Sequence, residues 1–438
     1  MQECNVALYG AGTVGAGVAA VLLGRRGSLV ERLGSRIRLQ YIVDKRLEQV
    51  NAEISPPAST TVTEDLDAPL NDPKVRIVVE LFGGIDAART LIEKALNAGK
   101  DVVTANKALL AAHGSELFRL ARKRDRCIAF EASVAGGIPI IAALRDGLVA
   151  DRIESIYGIV NGTCNYVLTQ MCERGLPYAR ALAEAQKRGY AEADPTLDVE
   201  GHDSAHKLTI LARMAFGVEV REQDIPREGI TGISPADLQY ANSLGYTLKL
   251  LAVGIRRDGA LELRVHPALL RHNHPIVSVG GAFNADCVHG DPVGEVMLTG
   301  MGAGRWPTAS AVVADICRVA LGTYGTDFAE LPQFGEVPSA TLAPLDEMRM
   351  RYYFRLSCQD EPGVLAQVAG ILGRNKISIA SCIQQDRAPE EEEHAQQAPV
   401  VFMTHEAQEG SLKRALREIN QLSCIDGRRT RMLRVQEI

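Results

Sequence analysis

The sequence predicts an α/β protein of three consecutive domains, and three observations lead to this fold class. A short apolar strand near the N-terminus runs into a glycine-rich turn and then an apolar helical pattern. The chain has 438 residues, more than one hydrophobic core normally serves. Beyond a proline-rich linker, strand and helix patterns follow in the order βαββαβ. The predicted domains are 1–135, a central α+β domain at 136–335, and 350–438.

Composition excludes several classes of protein. A hydrophobic content of 46% with 23% charged residues is ordinary for a globular chain. The net charge of −6 provides no basic surface for nucleic acid. No run reaches the ~18 apolar residues of a membrane span, and the polar QECN after Met1 is unlike a signal peptide. Nine cysteines without a CxxC pair predict reduced thiols and a cytoplasmic protein.

The glycine-rich turn carries the first functional prediction. Val6–Tyr9 is the apolar run, GAGTVG follows it, and apolar residues then recur at helical spacing. Strand, GxGxxG and helix in this order are typical of a Rossmann-type dinucleotide-binding domain, in which the pyrophosphate lies on the helix N-terminus. The predicted cofactor-binding residues of the turn are Gly10, Gly12, Thr13, Val14 and Gly15.

The second predicted strand, Ile37–Val43, ends at residues that bear on the choice of cofactor. Asp44 would accept the ribose hydroxyls, which favours NAD. Lys45 and Arg46 follow at once and would meet a 2′-phosphate, so NADP stays open. A plain exposed turn explains the two basic residues equally well.

Two further strands end beside residues that fit a cofactor or substrate site. Val75–Leu81 leads into the glycine-rich segment 82–84, and Asp101–Val103 is followed by Thr104 and Lys107. Ligands of parallel α/β sheets bind at the carboxyl ends of the strands. Lys107 is therefore predicted beside substrate or nicotinamide, although an isolated lysine there is more often a surface residue.

The next strand, Cys127–Phe130, ends at Glu131 and is followed by small residues from Ala132 to Pro139. The backbone carbonyls of this segment would coordinate a hard cation together with the Glu131 carboxylate. A tight crossover between two domains accounts for the same residues equally well.

The central domain starts with a predicted strand, Ile153–Val160, followed by Asn161, Gly162 and Thr163 at a helix start. The amide of Gly162 and the hydroxyl of Thr163 suit a substrate carboxylate at that position. Further strands are predicted at 248–255, 261–265, 276–279 and 296–299, and a helix after residue 307.

The segment from Gly189 to Lys207, GYAEADPTLDVEGHDSAHK, is the strongest local indication of a functional site, because it places an acidic cluster ahead of one lysine. Asp203 and Lys207 are four residues apart at the start of an apolar helical pattern, so they would share one helix face. Glu192 and Asp198 would precede them on a loop. Such carboxylates can hold a substrate ammonium while a lysine moves a proton. The alternative is a solvated acidic helix start.

The C-terminal pattern predicts strands at 351–357, 377–383, 400–405 and 432–435, with helices at 363–374 and 410–421. Between the second and third strands lies an acidic loop, Asp386 to Gln397, which includes Glu390 to Glu393. Its charge predicts a solvated segment.

Five segments in order make the chain resemble the homoserine dehydrogenase family: GAGTVG from Gly10, TANKALL from Thr104, EASVAGGIPI from Glu131, GIVNGTCNYVLTQM from Gly158, and the Gly189–Lys207 segment. CQDEPGVLAQVAGILGRNKISIAS from Cys358 resembles an ACT domain, the amino-acid-sensing module of the family's regulated members. Because no aspartokinase segment precedes the nucleotide fold, the chain resembles the monofunctional form.

The resemblance implies reversible oxidation of L-homoserine to L-aspartate 4-semialdehyde with NAD(P), in threonine, methionine and isoleucine biosynthesis. It further implies Lys207 as the proton-transfer residue, Lys107 as the second candidate, and Asp203 as the group that orients Lys207 or a water. The amino group of the substrate would bind Glu192 and Asp198, with Gly162 and Thr163 beside the substrate.

Three more expectations follow from the resemblance. A sodium ion would bind the Glu131 carboxylate and the carbonyls of Val134, Gly136 and Ile138. A regulatory amino acid, with L-threonine the expected one, would bind the ACT domain. The positions carried over for this ligand are Asp360, Gly363, Asn375 and Ile379. A homodimer or homotetramer is expected.

The chemistry predicts a pH dependence. A lysine acts as a base when its pKa falls below the free value of ~10.4, but the neighbouring carboxylates of Lys207 favour the charged form. We therefore expect homoserine oxidation to be fastest at alkaline pH, with Lys207 acting chiefly as an acid in the reduction.

Two alternative functions also fit parts of the sequence. Aspartate-semialdehyde dehydrogenase would need a catalytic cysteine, for which Cys164 is the candidate, although a small packed side chain explains this residue better. A non-catalytic sensor would bind nucleotide and amino acid without hydride transfer.

Overall fold

The computed structural model describes residues 3–24, 29, 31, 36–384 and 397–438. The acidic loop predicted from Asp386 therefore lies outside the described residues except for Gln397, which begins a strand. Backbone contacts divide the chain into two compact units. Unit 1 comprises Met1–Gly162, His202–Ile225 and Ala282–Ala340, and unit 2 comprises Thr163–Gly201, Pro226–Gly281 and Thr341–Ile438.

The strands of the described chain are, in order, β1 Glu3–Tyr9, β2 Arg36–Val43, β3 Thr61–Thr63, β4 Val75–Glu80, β5 Asp101–Thr104, β6 Ile128–Ala129, β7 Arg152–Ile159, β8 Tyr246–Arg257, β9 Ala260–Arg271, β10 Phe283–Asp291, β11 Gly294–Met301, β12 Arg349–Gln359, β13 Ile379–Gln384, β14 Gln397–Thr404, β15 Ala407–Gln408 and β16 Arg431–Val435.

The α-helices of the described chain are Thr13–Gly24, Leu47–Ile54, Ala68–Asn71, Asp86–Asn97, Lys107–Lys123, Ile140–Ala142, Gly162–Arg174, Tyr178–Lys187, Thr196–Val199, His202–Phe216, Pro235–Ser243, Arg305–Leu321, Thr323–Glu330, Val364–Arg374 and Glu409–Ile419. None of the described helices has the length and apolar character needed to cross a membrane.

Unit 1 contains a six-stranded parallel sheet in the order β3-β2-β1-β4-β5-β6. This is the doubly wound order, in which the strand sequence reverses between β1 and β4 and ligands bind beyond the carboxyl ends of the strands. The central strands β1, β4 and β5 are almost entirely buried on both faces, whereas the edge strand β3 is partly exposed. Unit 1 also contains an antiparallel ladder in which β10 pairs with β7 and with β11.

Unit 2 contains an antiparallel pair, β8 and β9, joined through β16 to the C-terminal strands. The order runs β8-β9-β16-β12-β14-β13, and β16 lies parallel to β9. The C-terminal βαββαβ order predicted from the sequence is confirmed. Its core contains the stacked rings of Phe354 and Phe402, packed with Tyr352, Leu372 and Leu412.

The structure corrects the prediction for the central part in three places. Residues 276–279 do not form a strand but lie in a 3-10 turn, Pro275–Ser278, which opens with proline and is capped by the His274 ring. The strand β10, Phe283–Asp291, was missed because Asn, Asp, His and Gly interrupt its apolar alternation. The helix expected after Pro307 starts earlier, at Arg305, because proline is tolerated in a first turn, where amides lack intrahelical partners.

Candidate active site

The glycine-rich turn joins β1 to the helix Thr13–Gly24 at the carboxyl edge of the parallel sheet. Gly10 has φ of +92°, and a Cβ there would lie 2.8 Å from the backbone of Leu81. A Cβ on Gly15 would overlap the carbonyl oxygen of Gly10. Both positions therefore require glycine, and the first amides of the helix, at Thr13 and Val14, follow directly at this edge.

Asp44 follows β2 and lies at the same edge of the sheet. Its carboxylate accepts the Ala11 amide at 2.8 Å and two hydrogen bonds of 3.0 Å from the Arg46 guanidinium. The hydrogen bonds from Arg46 hold the pKa of Asp44 well below its usual range. Asp44, Lys45 and Arg46 line a cavity of about 600 Å³ with Gly10 and Gly12. The size and the glycine turn fit a dinucleotide, and the paired carboxylate and guanidinium of Asp44 and Arg46 line the same cavity.

Glu80, which the sequence prediction omitted, organises the neighbouring strand ends. It is fully buried at the end of β4, where it accepts the Thr104 hydroxyl at 2.6 Å and the Gly83 amide at 3.0 Å. Burial raises the pKa of Glu80. The Thr104 oxygen in turn accepts the amide of Asn106, whose side chain caps the helix that begins at Lys107. Glu80 thereby links the 82–84 loop to the start of this helix.

Two lysines from distant parts of the chain share one buried carboxylate in unit 1. The Lys207 Nζ lies 2.7 Å from Asp203 Oδ2, and the Lys107 Nζ lies 2.5 Å from Asp203 Oδ1. Lys207 also donates to the carbonyl of Val160 at 2.6 Å, and Asn161 donates to Asp203 Oδ2 at 2.8 Å. The Lys207 side chain is 9% exposed and that of Lys107 is 41% exposed. Lys107 is thus the more accessible of the two.

The two ammonium groups determine the protonation of Asp203. Burial alone would raise the pKa of this carboxyl, but the charges of Lys207 and Lys107 outweigh burial and hold the pKa far below its usual range. The expected helical spacing of Asp203 and Lys207 is present in the helix His202–Phe216. Nothing in the local sequence indicated that Lys107 or Asn161 would join them.

The predicted cation loop follows β6 in unit 1. The carboxylate of Glu131 accepts the amides of Ile141 and Ala142 at 2.9 and 2.8 Å. Burial raises the pKa of Glu131 to about 7. The carbonyl of Ile138 accepts the Ile140 amide at 2.9 Å. Gly136 has φ of +55°, in a loop whose residues Val134 and Ile138 are buried.

The predicted substrate residues are divided between the units. Gly162 closes a segment of unit 1, whereas Thr163, Glu192 and Asp198 belong to unit 2. The Thr163 hydroxyl donates to the Tyr190 carbonyl at 2.5 Å, so its single proton is engaged. Glu192 is exposed, and Asp198 is half-buried in the short helix Thr196–Val199.

Cys164, the cysteine of the rival function, is fully buried, and its thiol lies 3.2 Å from the Asp198 carbonyl. This packing is typical of a structural cysteine. All nine cysteines are free thiols.

The predicted regulatory residues surround the first helix of the C-terminal fold. Asp360 accepts a hydrogen bond from Gln384 at 3.1 Å, and Gly363 precedes the helix with φ of +92°. Asn375 ends the helix and donates to Glu418 at 3.1 Å. Ile379 begins β13, where it pairs with Thr404.

A dinucleotide turn, a lysine–carboxylate–lysine cluster and a C-terminal βαββαβ fold together define an NAD(P)-dependent oxidoreductase with a regulatory module. Comparison with family models matches residues 10–131 to the homoserine dehydrogenase NAD-binding domain, 139–317 to homoserine dehydrogenase, and 352–424 to the ACT domain. The homoserine dehydrogenase of Neisseria gonorrhoeae is 42% identical, and the match covers 97% of each chain. The chain belongs to the homoserine dehydrogenase family.

Solved structures agree with this assignment. A homoserine dehydrogenase from Thiobacillus denitrificans superposes with a TM-score of 0.91 at 39% identity, covering 100% of this chain and 99% of that one. A hyperthermophilic archaeal homoserine dehydrogenase in complex with NADPH gives a TM-score of 0.62 at 26% identity, covering 73% and 98%. The protein is thus an oxidoreductase that interconverts L-homoserine and L-aspartate 4-semialdehyde with NAD(P).

Proposed function

We propose that Lys207 is the proton-transfer residue of this reaction, assisted by Lys107 and oriented by Asp203. The observation that carries the proposal is the shared carboxylate, with Lys207 and Lys107 on its two oxygens. The ionised carboxylate favours the ammonium form of both lysines, and the carbonyl of Val160 restrains the Lys207 side chain further.

In the reduction, the Lys207 ammonium donates a proton to the aldehyde oxygen as the aldehyde carbon becomes an alcohol carbon. In the oxidation, neutral Lys207 takes the hydroxyl proton back. The bound nicotinamide cofactor supplies or accepts the hydride. Lys107, more exposed, would contact the substrate oxygen or the cofactor, and Asp203 holds both amines at the reacting end.

Substrate recognition is proposed to use opposite charges at the two ends of the amino acid. Glu192 and Asp198 would bind the substrate ammonium. The amides of Gly162 and Thr163, at the start of a 13-residue helix, would bind the carboxylate. Because the Thr163 hydroxyl already donates to Tyr190, its backbone amide rather than its side chain is assigned this task.

The cofactor is proposed to lie along the edge of the parallel sheet. The pyrophosphate would bind at Gly10, Gly12, Thr13, Val14 and Gly15. Asp44 would bind the ribose of NAD, and Lys45 with Arg46 would meet the 2′-phosphate of NADP after Arg46 leaves Asp44. The NADPH complex of the archaeal relative supports use of the phosphorylated form. Thr104 and Lys107 would contact the nicotinamide end.

The decisive experiment is Lys207→Ala, assayed by absorbance of the reduced cofactor with homoserine and with the semialdehyde. We expect a loss of kcat of at least about 100-fold in both directions, the low end of the effect of removing an acid–base group. Lys187→Ala, a lysine in the last turn of the helix Tyr178–Lys187, is the matched control. Near-normal turnover of a folded Lys207→Ala protein would refute the assignment.

A sodium ion is proposed beside the loop after β6, bound by the Glu131 carboxylate and the carbonyls of Val134 and Gly136. Buried carboxylate and carbonyl oxygens are the ligands that hard cations prefer. The carbonyl of Ile138 was predicted as a fourth ligand. It would bind the ion with its second lone pair, because the first accepts the Ile140 amide.

Regulation by L-threonine is proposed for the C-terminal domain, residues 350–438, which would follow a cofactor domain at 1–135 and a catalytic domain at 136–335. Asp360, Gly363, Asn375 and Ile379 would form the effector site.

A homodimer or homotetramer is proposed as well. The exposed Phe283 and Trp306, 49% and 58% accessible, support an apolar contact between copies in unit 1.

The effector is tested with the full-length enzyme and threonine, methionine and isoleucine in turn. Threonine is expected to inhibit the wild type, and Asp360→Ala is expected to raise the half-inhibitory concentration about tenfold, the loss of one charge-assisted contact. Gln367→Ala, at an exposed position on the helix Val364–Arg374 that follows Asp360, is the control. Indifference to all three amino acids would refute the sensing role.

A further inference from the structure

β10 carries two buried polar side chains that the proposed mechanism does not use. Asn284 and Asp286 are two residues apart on this strand and therefore point to the same face. Asn284 is 1% exposed and Asp286 is 0% exposed. Within the described part of the chain, none of their four polar side-chain atoms has a hydrogen-bond partner. Buried polar groups are almost always paired, so these two indicate a bound group.

Asp286 lies close to the proton-transfer residue. It pairs directly with Gly158 of β7, and Val160, two residues further along that chain, accepts the hydrogen bond of Lys207. Val160 directly follows β7, so its carbonyl lies at the same end of the β7–β10 ladder as Asp286. Burial raises the pKa of Asp286 to about 7, and the positive charge of Lys207 opposes that rise. The Asp286 carboxyl therefore interacts electrostatically with the Lys207 ammonium, although it forms no hydrogen bond with it.

Asn284 lies beside the start of the proposed substrate helix. A Cβ at Gly162 would be 3.5 Å from its amide oxygen, and a Cβ at Gly302 would overlap the amide. The two glycines thus leave room for this side chain. The polar face of β10 consequently extends from Gly162 toward Lys207.

The charges of Lys207, Lys107 and Asp203 suggest a role for the carboxyl on this face of β10. Lys207 and Lys107 contribute two positive charges, whereas Asp203 contributes one negative charge. A second carboxylate near Lys207 offsets the excess. Since neither oxygen of Asp286 has a hydrogen-bond partner in the described part of the chain, a bound water molecule would satisfy this carboxyl.

We propose that Asn284 and Asp286 hold ordered water beside Lys207, and that Asp286 acts through this water as a positioning residue for the ammonium. The inference rests on Lys207 being the proton-transfer residue of the proposed function. The carboxylate stabilises the charged form of the amine, and the water fixes the direction in which Lys207 presents its proton.

The test is the pH profile of kcat/KM for homoserine oxidation by full-length Asp286→Asn protein. The charged groups that face Asp286 are Lys207 and Glu131, and both stay in place. Removal of the carboxylate makes proton loss from Lys207 easier. The half-maximal pH is therefore expected to fall by about one unit, the order of the interaction between two unit charges that are not in direct contact within a protein. Cys287→Ala, at the adjacent buried position on the opposite face of β10, should keep the wild-type profile.

Asp286→Val keeps the inference testable if the asparagine variant does not fold. It removes an unpaired buried carboxyl and is expected to melt at a higher temperature, yet to show the same fall in half-maximal pH. Folded Asn and Val variants with the wild-type profile would overturn the inference, as would a crystal structure without ordered water at the Asp286 carboxylate. Activity surviving in Lys207→Ala would instead overturn the proposed function.

Discussion

At the residue scale, a single carboxylate holds two amines that come from different helices. Asp203 is 5% exposed and stays ionised because Lys207 and Lys107 flank it. A buried charge is tolerated only when it is paired and hydrogen-bonded, and here Asn161 supplies the additional hydrogen bond. Removing the carboxylate would leave two ammonium groups side by side.

Asp203→Asn is expected to lower kcat at least about 100-fold, because Lys207 is then no longer held in place and its acid–base contribution, typically about 10²–10⁴-fold in rate, is lost. Steady-state kinetics in both directions measure the loss, and thermal melting monitors folding. Asp224→Asn, which removes an exposed carboxylate paired with Arg221 in the same unit, should behave as wild type. A folded Asp203→Asn enzyme with normal turnover would contradict the role.

At the scale of elements, the turn between β1 and its helix depends on close backbone approach. The amide of Gly10 donates to the Val43 carbonyl at 2.9 Å, and Gly15 lies against the Gly10 carbonyl. The amide of Leu81, just after β4, donates to the Tyr9 carbonyl at 2.8 Å, so both neighbouring strands hold the start of the turn. Asp44, at the end of β2, thereby reaches the Ala11 amide.

Gly15→Ala is expected to weaken NADPH binding about tenfold or more, because the added methyl group must displace the Gly10 carbonyl from the turn that would hold the pyrophosphate. Fluorescence titration of the cofactor gives the Kd. Gly24→Ala places a methyl group in open space at the other end of the same helix and should bind NADPH normally. Equal affinities for the two variants would contradict the argument.

At the scale of the whole molecule, the C-terminal fold is joined to other segments of unit 2 by strand pairing and buried ion pairs. β16 pairs with β9 at Arg434 and Ala268. Arg434 forms two 2.7 Å bonds to Glu409 and one of 2.9 Å to Glu228. Arg355 bonds to Asp237 at 2.8 Å. A cut before β12 would leave the β9 edge unpaired and would deprive the buried Asp237 of its Arg355 partner.

These pairs predict loss of stability in acid. Burial alone would raise the pKa of Asp237 and Glu409, but Arg355 and Arg434 outweigh it and hold both below the ordinary value. A carboxyl with a lowered pKa stabilises the fold above its unfolded pKa of about 4, and this contribution is lost as the pH falls below that value. Thermal melting between pH 7 and pH 3 should show the decline.

Glu409→Gln should already lose about 3–5 kcal/mol of unfolding free energy at pH 7, because Arg434 is left buried without its carboxylate. Its melting temperature should then depend less on pH in the acid range. Glu418→Gln, in the same helix and exposed, is expected to cost less than about 1 kcal/mol. A neutral effect of Glu409→Gln would show that the buried pair does not stabilise unit 2.

Local patterns in the sequence were sufficient for elements whose signals are local. The strand, glycine turn and helix at Gly10–Gly15, the βαββαβ order, and the shared helix face of Asp203 and Lys207 all depend on spacing within a few residues. Local spacing failed where polar residues interrupt a strand, as in β10, and where Pro275 converts an apolar run into a turn.

Only the tertiary structure brought Lys107 and Asn161 to Asp203, Arg46 to the carboxylate of Asp44, and Asp286 near Lys207. The physical reason is that such meetings are set by strand register and by the packing of segments far apart in the chain. Sequence periodicity carries no information about those distances. Backbone conformation and amphipathic spacing, in contrast, depend on neighbouring residues and can be predicted from the sequence.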